Sequence, residues 1–305
     1  MIYPPSLKKG DWVGVIASAS PPNMEKLRKS LRFLKNNGLK VKLGKNIRNT
    51  YGYLAGTDIE RLEDFHCMIA DPTIKAIFFA KGGYGTGRLA SCIDYELISK
   101  NPKIIWGYSD ITYLHTAIRQ STNLVTFHGP MLESDVARDD FDHLSKDMFN
   151  QLFKRTTLRY SEKIAALNVL VEGKASGKLV GGNLSLLTST LGTPYEIDVK
   201  GNILLIEDVN EEPYRVDSML NQLKYANKLT KANGIIVGDF ANTEPKRSPS
   251  LQMEEVFQHY FSSLTCPVMT GFKIGHCLPH FAVPLGAQTT MNTENKLVTI
   301  EPGVI

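Results

Sequence analysis

Residues 104–110 read Ile-Ile-Trp-Gly-Tyr-Ser-Asp, and a helix-like stretch at 111–118 follows at once. An apolar run that ends in Gly-x-Ser and leads into such a stretch predicts a strand, a tight turn and a helix. The turn exposes the Ser109 hydroxyl above the positive end of the helix, which makes Ser109 a candidate nucleophile. Two interpretations stay open, a nucleophile or a helix cap, because Ile111 replaces the second glycine of the usual nucleophile elbow.

The rest of the first half alternates strand-like and helix-like segments. Strands separated by helix-length segments predict βαβ units and a parallel sheet that is covered on both faces. The strand-like runs lie at 13–17, 41–43, 76–80 and 104–106, and the helix-like stretches lie at 24–37 and 58–70.

The pattern changes after Gly129-Pro130. A polar, charged stretch at 133–154 predicts one helix and few core residues, and we place the domain join there. Short apolar runs punctuated by glycine then predict a second domain of mixed α/β type. The predicted strands are 175–180, 203–206, 234–237, 267–270 and 296–300, and the predicted helices are 184–191 and 216–225. The predicted division is an N-terminal domain at 1–135, a linker region at 136–165 and a C-terminal domain at 166–305.

Composition indicates an ordinary globular protein. The chain has 305 residues, of which 42% are hydrophobic and 22% charged, and its net charge is +4. This mild, dispersed charge favours neither nucleic acid nor a membrane surface as a partner, and no run reaches the roughly 20 apolar residues of a membrane span. Four cysteines without paired spacing indicate reduced thiols in a cytoplasmic protein. The run after Lys8-Lys9 is too short for a signal peptide, so we interpret it as a first buried strand.

A glycine-rich loop, residues 81–88, follows the strand predicted at 76–80 and reads Lys-Gly-Gly-Tyr-Gly-Thr-Gly-Arg. Its spacing lacks the dinucleotide fingerprint, and no Gly-Lys-Ser or Gly-Lys-Thr follows, so phosphate binding is weakly indicated. Loops after parallel strands share one edge of the sheet, so this loop and Ser109 are expected in one site. A glycine amide and the Asp110 amide would then bind an oxyanion. A plain tight turn is the alternative.

A nucleophilic serine needs a base, and the base needs an orienting acid. Among seven histidines, His276 is the first candidate because it lies in a loop after a short apolar run, and His128 is the second. The other five are expected on helices or polar surface. Glu207 is the candidate acid because it ends the apolar run 203–206, where a carboxylate needs a partner. A structural salt bridge from Glu207 to Arg215 is the alternative.

Five segments together resemble one family of peptidases. They are Gly-Gly-Tyr-Gly at 82–85, Gly-Tyr-Ser-Asp at 107–110, Gly-Gly-Asn-Leu at 181–184, Glu-Asp-Val-Asn-Glu at 207–211 and Gly-His at 275–276. In this order they resemble the serine peptidases of the S66 LD-carboxypeptidase family, over about residues 13–286. The total length resembles the cytoplasmic muramoyltetrapeptide carboxypeptidase branch.

The resemblance implies a fold and a catalytic triad. The fold is α/β, with a flavodoxin-like parallel-sheet N-terminal domain and a smaller β-rich mixed C-terminal domain, in a homodimer. Ser109 on the first domain would attack the carbonyl carbon, His276 would take and return the proton, and Glu207 would fix the imidazole tautomer. The last two residues lie on the second domain.

The resemblance also implies the reaction. The Asp110 amide and a glycine amide, that of Gly83, would form the oxyanion hole, and Asn183 would contact substrate. The substrate would be a murein tetrapeptide from peptidoglycan recycling, which loses its terminal D-alanine, and no metal or other cofactor is required. The substrate's free carboxylates call for a cation, for which Arg88 and Arg215 are candidates.

Other functions remain open. A neighbouring branch of the family hydrolyses microcin-type peptidyl nucleotides, and there an aromatic side chain stacks on the adenine. Both tryptophans, Trp12 and Trp106, lie in the first half, which leaves Tyr160 or Tyr195 for that role. A non-catalytic small-molecule-binding protein of the same fold, a nucleotide-dependent enzyme and a cysteine hydrolase that uses Cys277 are more remote alternatives.

Overall fold

Two β-sheets with helices packed on them form the computed structural model, which describes residues 1–246 and 248–305. In chain order the strands are β1 (Trp12–Ile16), β2 (Lys40–Leu43), β3 (Ile74–Phe79), β4 (Ile104–Gly107), β5 (Thr126–His128), β6 (Leu158–Tyr160), β7 (Asn168–Val171), β8 (Lys174–Asn183), β9 (Ile203–Val209), β10 (Gly234–Ala241), β11 (Val268–Thr270), β12 (Val283–Leu285), β13 (Gln288–Asn292) and β14 (Leu297–Ile300). The α-helices are α1 (Met24–Asn36), α2 (Asp58–Ala70), α3 (Tyr95–Lys100), α4 (Thr112–Thr122), α5 (His143–Asp147), α6 (Leu184–Ser189), α7 (Pro213–Tyr225), α8 (Lys228–Lys231) and α9 (Met253–Phe261).

The first sheet is parallel apart from one edge strand. Its order is β2-β1-β3-β4-β5, and β12 pairs antiparallel with β5. This is the flavodoxin-like order, in which ligands bind outside the carboxyl ends of the strands. Strand β4 is buried along its whole length, as expected for a strand covered on both faces. The parallel N-terminal sheet predicted from the sequence is confirmed.

The second sheet is mixed. Strands β8, β9, β10 and β11 run parallel, whereas β13, β14 and β6 are antiparallel on one side and β7 is antiparallel on the other. The long strand β8 joins the two parts, because it pairs with β13 through its first half and with β9 through its second half. The predicted mixed, β-rich second half is confirmed.

Helix α2 begins where the sequence predicts it, because a capping box fixes its start. The Thr57 hydroxyl accepts a hydrogen bond from the Glu60 amide at 3.3 Å, and the Glu60 carboxylate accepts one from the Thr57 amide at 2.8 Å. These reciprocal bonds satisfy two backbone donors that the first turn of the helix leaves free.

The stretch at 133–154 differs from its prediction. It contains most of a π-helical turn, Leu132–Val136, the short helix α5 and a 3-10 turn, Met148–Leu152, and it contributes buried core side chains that include Phe141 and Phe149. Phe149 packs against the Trp106 ring of β4, with 4.5 Å between the ring centroids. The expectation of few core residues is therefore wrong, since the apolar side chains of a polar segment cover one face of the first sheet.

Strand pairing and shared apolar packing join the two halves of the chain. Strand β12, from the second half, completes the first sheet, and β6, from the predicted linker, pairs with β14 in the second. A continuous apolar core also joins side chains of both halves. The division into 1–135, 136–165 and 166–305 stays a prediction. No helix among the described residues has the length and apolar character of a membrane span.

Candidate active site

Ser109 lies at the turn between β4 and α4, where the backbone is strained. Its φ is +61°, in the left-handed region that residues other than glycine rarely adopt. A 3-10 turn, Ser109–Ile111, leads into α4, and neither the turn nor the helix has a side-chain cap. The predicted strand, turn and helix are therefore confirmed, and the capping interpretation is not. The hydroxyl stands at the carboxyl edge of the first sheet.

His276 reaches Ser109 from the loop that follows β11. The Ser109 hydroxyl donates to Nε2 of His276 at 3.1 Å, and Nδ1 of His276 donates to Oε2 of Glu207 at 2.8 Å. Because a carboxylate can only accept, Nδ1 carries the proton, and Nε2 is free to take the proton of the serine. Gly275 permits this approach: its φ is +123°, and an added Cβ would lie 2.6 Å from Oε2 of Glu207.

Glu207 lies in β9 and is completely buried. Burial would raise its pKa, but the imidazoles of His276 and His128 outweigh burial and lower the pKa to about 2. Burial would likewise lower the pKa of His276, but the Glu207 carboxylate outweighs it and raises that pKa above the ordinary value. The alternative salt bridge is not formed, because Arg215 pairs with Glu211 at 3.5 Å.

The glycine-rich loop lies beside Ser109. A Cβ added at Gly82 would be 3.1 Å from the serine Oγ, so only a glycine leaves this side of the hydroxyl open. The backbone amides of Gly83 and Asp110 have no hydrogen-bond acceptor among the described residues, so both are free to bind an oxyanion. The Thr86 amide donates to the Asp110 carboxylate at 2.9 Å, which ties the loop to the turn after β4. The two candidate oxyanion donors thus belong to adjoining, connected segments.

Asn183 ends β8 and caps α6, and its side chain is engaged within the protein. Its Oδ1 accepts from the Leu186 amide at 3.2 Å, and its Nδ2 donates to the Asp208 carboxylate at 2.9 Å. Its backbone pairs with that of Glu207 in the sheet. The structure therefore places Asn183 beside the buried acid, and its contact with substrate stays a prediction.

The remaining sequence candidates lie in different settings. Arg88 forms a salt bridge with Asp58 at 2.8 Å, so its charge is already paired in this structure. The Cys277 thiol donates to the Pro279 carbonyl at 3.4 Å, and burial raises its pKa, which keeps it protonated. Tyr160 is 1% exposed and packs inside the second half, so it is closed to a stacking ligand.

Sequence reasoning missed a layer of aromatic and imidazole rings behind the candidate triad. The Tyr108 ring lies 4.7 Å from the His276 ring, and its hydroxyl donates to Asp135 at 2.9 Å. His280 is also packed against Tyr108 and is 1% exposed. The five histidines other than His276 and His128 were expected on helices or polar surface, and this expectation is wrong for His280. The sequence did hold a signal for its burial, because His280 lies between Pro279 and the apolar run 281–283.

A serine, a histidine and a glutamate hydrogen-bonded in series at the carboxyl edge of a parallel sheet define the class of serine hydrolases. No three or more ligating side chains cluster as a metal site anywhere in residues 1–246 and 248–305. The family model described as the LD-carboxypeptidase N-terminal domain matches residues 13–129, and that described as the LD-carboxypeptidase C-terminal domain matches residues 176–291. The chain therefore belongs to the S66 LD-carboxypeptidase family, and it is a serine-type carboxypeptidase.

Individual relatives match over nearly the whole chain. A probable murein peptide carboxypeptidase of Bacillus subtilis is 58% identical over 99% of this chain and 95% of its own length. The solved muramoyltetrapeptide carboxypeptidase of Oxalobacter formigenes is 27% identical over 95% of this chain and 97% of its own, with a TM-score of 0.85. The microcin C7 self-immunity protein MccF of Escherichia coli is 29% identical over 96% of this chain and 94% of its own. A structure of MccF aligns with a TM-score of 0.90 over 99% of this chain and 98% of its own.

Proposed function

We propose that the chain is a cytoplasmic L,D-carboxypeptidase that removes the terminal D-alanine from murein tetrapeptides. The bond cleaved is the amide between the L-centre of a diamino acid and D-alanine. The observation that carries the proposal is the hydrogen-bonded series from Ser109 through His276 to Glu207. The 58% identity to a probable murein peptide carboxypeptidase supports the substrate class.

In the first half of the reaction the substrate acylates the serine. The Ser109 Oγ attacks the carbonyl carbon while Nε2 of His276 takes the hydroxyl proton, and the Glu207 carboxylate stabilises the imidazolium that forms. The carbonyl oxygen becomes an oxyanion, which the amides of Gly83 and Asp110 bind. The carbon–nitrogen bond then breaks, His276 returns the proton to the leaving amine, and D-alanine departs.

In the second half water releases the tripeptide. His276 takes a proton from a water molecule, whose oxygen attacks the ester carbonyl carbon on Ser109. The second tetrahedral intermediate uses the same two amides, and its collapse breaks the ester bond. The proton held by His276 passes to the Ser109 oxygen, which restores the enzyme. Each preorganised oxyanion donor contributes roughly 100- to 1000-fold to the rate of such steps.

The proposed triad draws its members from both halves of the chain. The nucleophile would belong to the N-terminal domain and its base and acid to the C-terminal domain, so the arrangement of the two sheets sets the reactive distances. We further propose a homodimer, as the family resemblance implies, and sedimentation of the purified chain measures this directly. Asn183 would contribute to substrate binding through the end of β8.

The test is D-alanine release from a purified murein tetrapeptide. The unmodified enzyme is expected to release D-alanine equally with and without a metal chelator, and Ser109→Ala to lower the rate by about 10⁴-fold or more. Ser99→Ala is the matched control, because this exposed serine on α3 donates only to its own helix, and it is expected to keep full activity. Release that persists in Ser109→Ala or stops with the chelator would overturn the proposal.

A second candidate function is hydrolysis of aminoacyl or peptidyl nucleotides. It is favoured by the overall similarity to MccF, one structure of which is described in complex with glutamyl sulfamoyl guanosine. Of the two tyrosines considered for stacking, only Tyr195 is partly exposed, and its ring lies 6.1 Å from that of Tyr113. Cleavage of an aminoacyl sulfamoyl adenylate without D-alanine release from the tetrapeptide would select this function.

A further inference from the structure

One oxygen of the buried Glu207 carboxylate lacks a hydrogen bond. Oε2 accepts from His276, whereas Oε1 has no hydrogen-bond partner among the described residues. Glu207 is completely buried, so water does not reach Oε1 from the surface. A donor on each oxygen stabilises a buried carboxylate that keeps its charge, because the protein interior offers no water to solvate that charge.

His128 is placed to supply this donor. Its Nε2 lies 3.6 Å from Oε1 of Glu207, and neither of its ring nitrogens has a hydrogen-bond partner among the described residues. The residue is fully buried and lies in β5, where its backbone pairs with Gly107 of β4 and Val283 of β12. Its ring packs 5.4 Å from that of Tyr108. The two neighbouring strands therefore fix the backbone of His128, and the Tyr108 ring packs against its imidazole.

We propose that His128 is a positioning residue for the candidate triad, whose Nε2–H donates to Oε1 of Glu207 and so keeps Oε2 directed at His276. The 3.6 Å between the two atoms lies just beyond hydrogen-bond distance, so a movement of the His128 ring by a few tenths of an ångström closes the bond in the free protein. The carboxylate would then be clamped between two imidazoles, one on each oxygen. The inference rests on the proposed roles of Glu207 and His276.

The titratable groups that surround His128 are neutral, except for the Glu207 carboxylate. Burial raises the pKa of the Tyr108 hydroxyl well above its ordinary range, so that group stays neutral. Burial also lowers the pKa of His280 well below its ordinary value and that of His115 to about 3, so both imidazoles stay neutral at pH 7. Loss of the His128 donor would therefore act on the Glu207 carboxylate. The Asp135 and Asp208 carboxyl groups also raise the pKa of His276, but neither is changed by substitutions at His128.

The expected consequence is a shift in the titration of His276. Without a donor on Oε1, the Glu207 charge acts more fully on His276, favours its protonated form and raises its pKa. A hydrogen bond worth about 1 kcal/mol corresponds to a rise of roughly 0.7 pH units. A residue that only fills space would not move this titration.

The first experiment uses the unmodified protein labelled with ¹⁵N-histidine. Long-range ¹H–¹⁵N spectra report which ring nitrogen of each histidine carries a proton, and the signals that disappear in His128→Gln assign His128. The proton is expected on Nε2 of His128 near pH 8. A bare Nε2 with the proton on Nδ1 would overturn the proposal, whatever the variants show.

The second experiment measures the pKa of His276 by the same spectra in three variants. His128→Leu removes the donor and is expected to raise the pKa by roughly 0.7 units, whereas His128→Gln retains an amide donor and is expected to restore it. His280→Leu is the matched control, because it removes a buried imidazole that has no hydrogen bond to Glu207, and it should leave the pKa unchanged. Equal pKa values in His128→Leu and the unmodified protein, or an equal shift in His280→Leu, would overturn the proposal.

Thermal unfolding of each variant verifies that it is folded before titration. If His128→Leu does not fold, the position of the proton on His128 in the unmodified protein decides the question. Neither readout uses a substrate. Failure of this inference is therefore distinct from failure of the proposed carboxypeptidase activity, which D-alanine release measures.

Discussion

Glu207 and His276 stabilise each other's charged form across a 2.8 Å hydrogen bond. Because Glu207 has a pKa of about 2, it stays ionised over the whole working range. His276 must be neutral to accept the Ser109 proton, and its pKa is raised above the ordinary 6.5. The two shifts together predict that activity is lost as pH falls through the raised pKa of His276.

The pH profile of kcat/KM measures this pKa in the free enzyme. We expect a single acid limb whose midpoint lies above pH 6.5. The result follows from the sign of the shift, since a raised pKa moves protonation of the base to higher pH. A midpoint at or below 6.5 would show that Glu207 does not act on the base in solution.

Replacing Glu207 tests the interaction between Glu207 and His276 by removing the charge of the acid. Glu207→Gln keeps the shape but removes the charge, so we expect kcat to fall by about 10⁴-fold and the residual acid limb to move to lower pH. Glu211→Gln is the control, because Glu211 lies in the segment just after β9 and pairs with Arg215. An unchanged limb in Glu207→Gln would contradict the charge argument.

At the scale of elements, the site depends on two connections that leave carboxyl ends of the first sheet. The glycine loop follows β3 and the strained turn follows β4, and the Thr86–Asp110 hydrogen bond joins them. The close approach of Gly82 to the Ser109 hydroxyl makes the loop part of the reactive geometry rather than a simple connection.

A methyl group at position 82 should disturb this geometry. In Gly82→Ala the added Cβ would lie 3.1 Å from both Cβ and Oγ of Ser109, so the serine must move by a few tenths of an ångström. We expect kcat to fall by roughly 10- to 100-fold while the protein stays folded, because small misplacements of reacting groups are costly.

Steady-state kinetics and thermal unfolding measure the two effects of Gly82→Ala separately. Gly192→Ala serves as a control for destabilisation alone: its Cβ would have no heavy atom within 4 Å, but its φ of +75° strains any residue other than glycine, so we expect a less stable protein with an unchanged kcat. Full activity in Gly82→Ala would mean that the loop does not constrain the nucleophile.

Sequence periodicity predicted the elements with strong patterns and missed those without them. Helix α2 was predicted at 58–70 from the alternation of strand-like and helix-like segments, and the structure has the same bounds because a capping box fixes its start. Strand β9 continues beyond the apolar run to Val209, because polar residues at its end still pair with β10. The three-residue strands β6 and β12 were not predicted, since so few residues show no alternation, and their pairing depends on distant strands.

At the scale of the whole molecule, the site is assembled from distant parts of the chain. His276 is 69 residues from Glu207 and 167 residues from Ser109 in sequence. Local patterns could nominate each residue, but they could not place the three together, because only the packing of one sheet against the other does so. The family resemblance supplied the grouping, whereas the position of His128 beside Glu207 and the burial of His280 required the structure.

The continuous core predicts that the two halves unfold together. Strand β12 closes the first sheet from the second half, and apolar side chains of both halves share one cluster. We expect denaturant unfolding to be a single transition with the same midpoint by tryptophan fluorescence, which reports Trp12 and Trp106 in the first sheet, and by far-ultraviolet circular dichroism. Two separated transitions would show that the halves are independently stable units.

Identifying the nucleophilic side chain tests the proposed mechanism most directly. Mass spectrometry after treatment with a serine-directed fluorophosphonate is expected to find one adduct, on Ser109, in the unmodified enzyme. The adduct should form far more slowly in His276→Gln, which cannot take the hydroxyl proton, and should be absent in Ser109→Ala. An adduct on Cys277, or no adduct on an enzyme that releases D-alanine, would contradict the Ser109–His276–Glu207 mechanism.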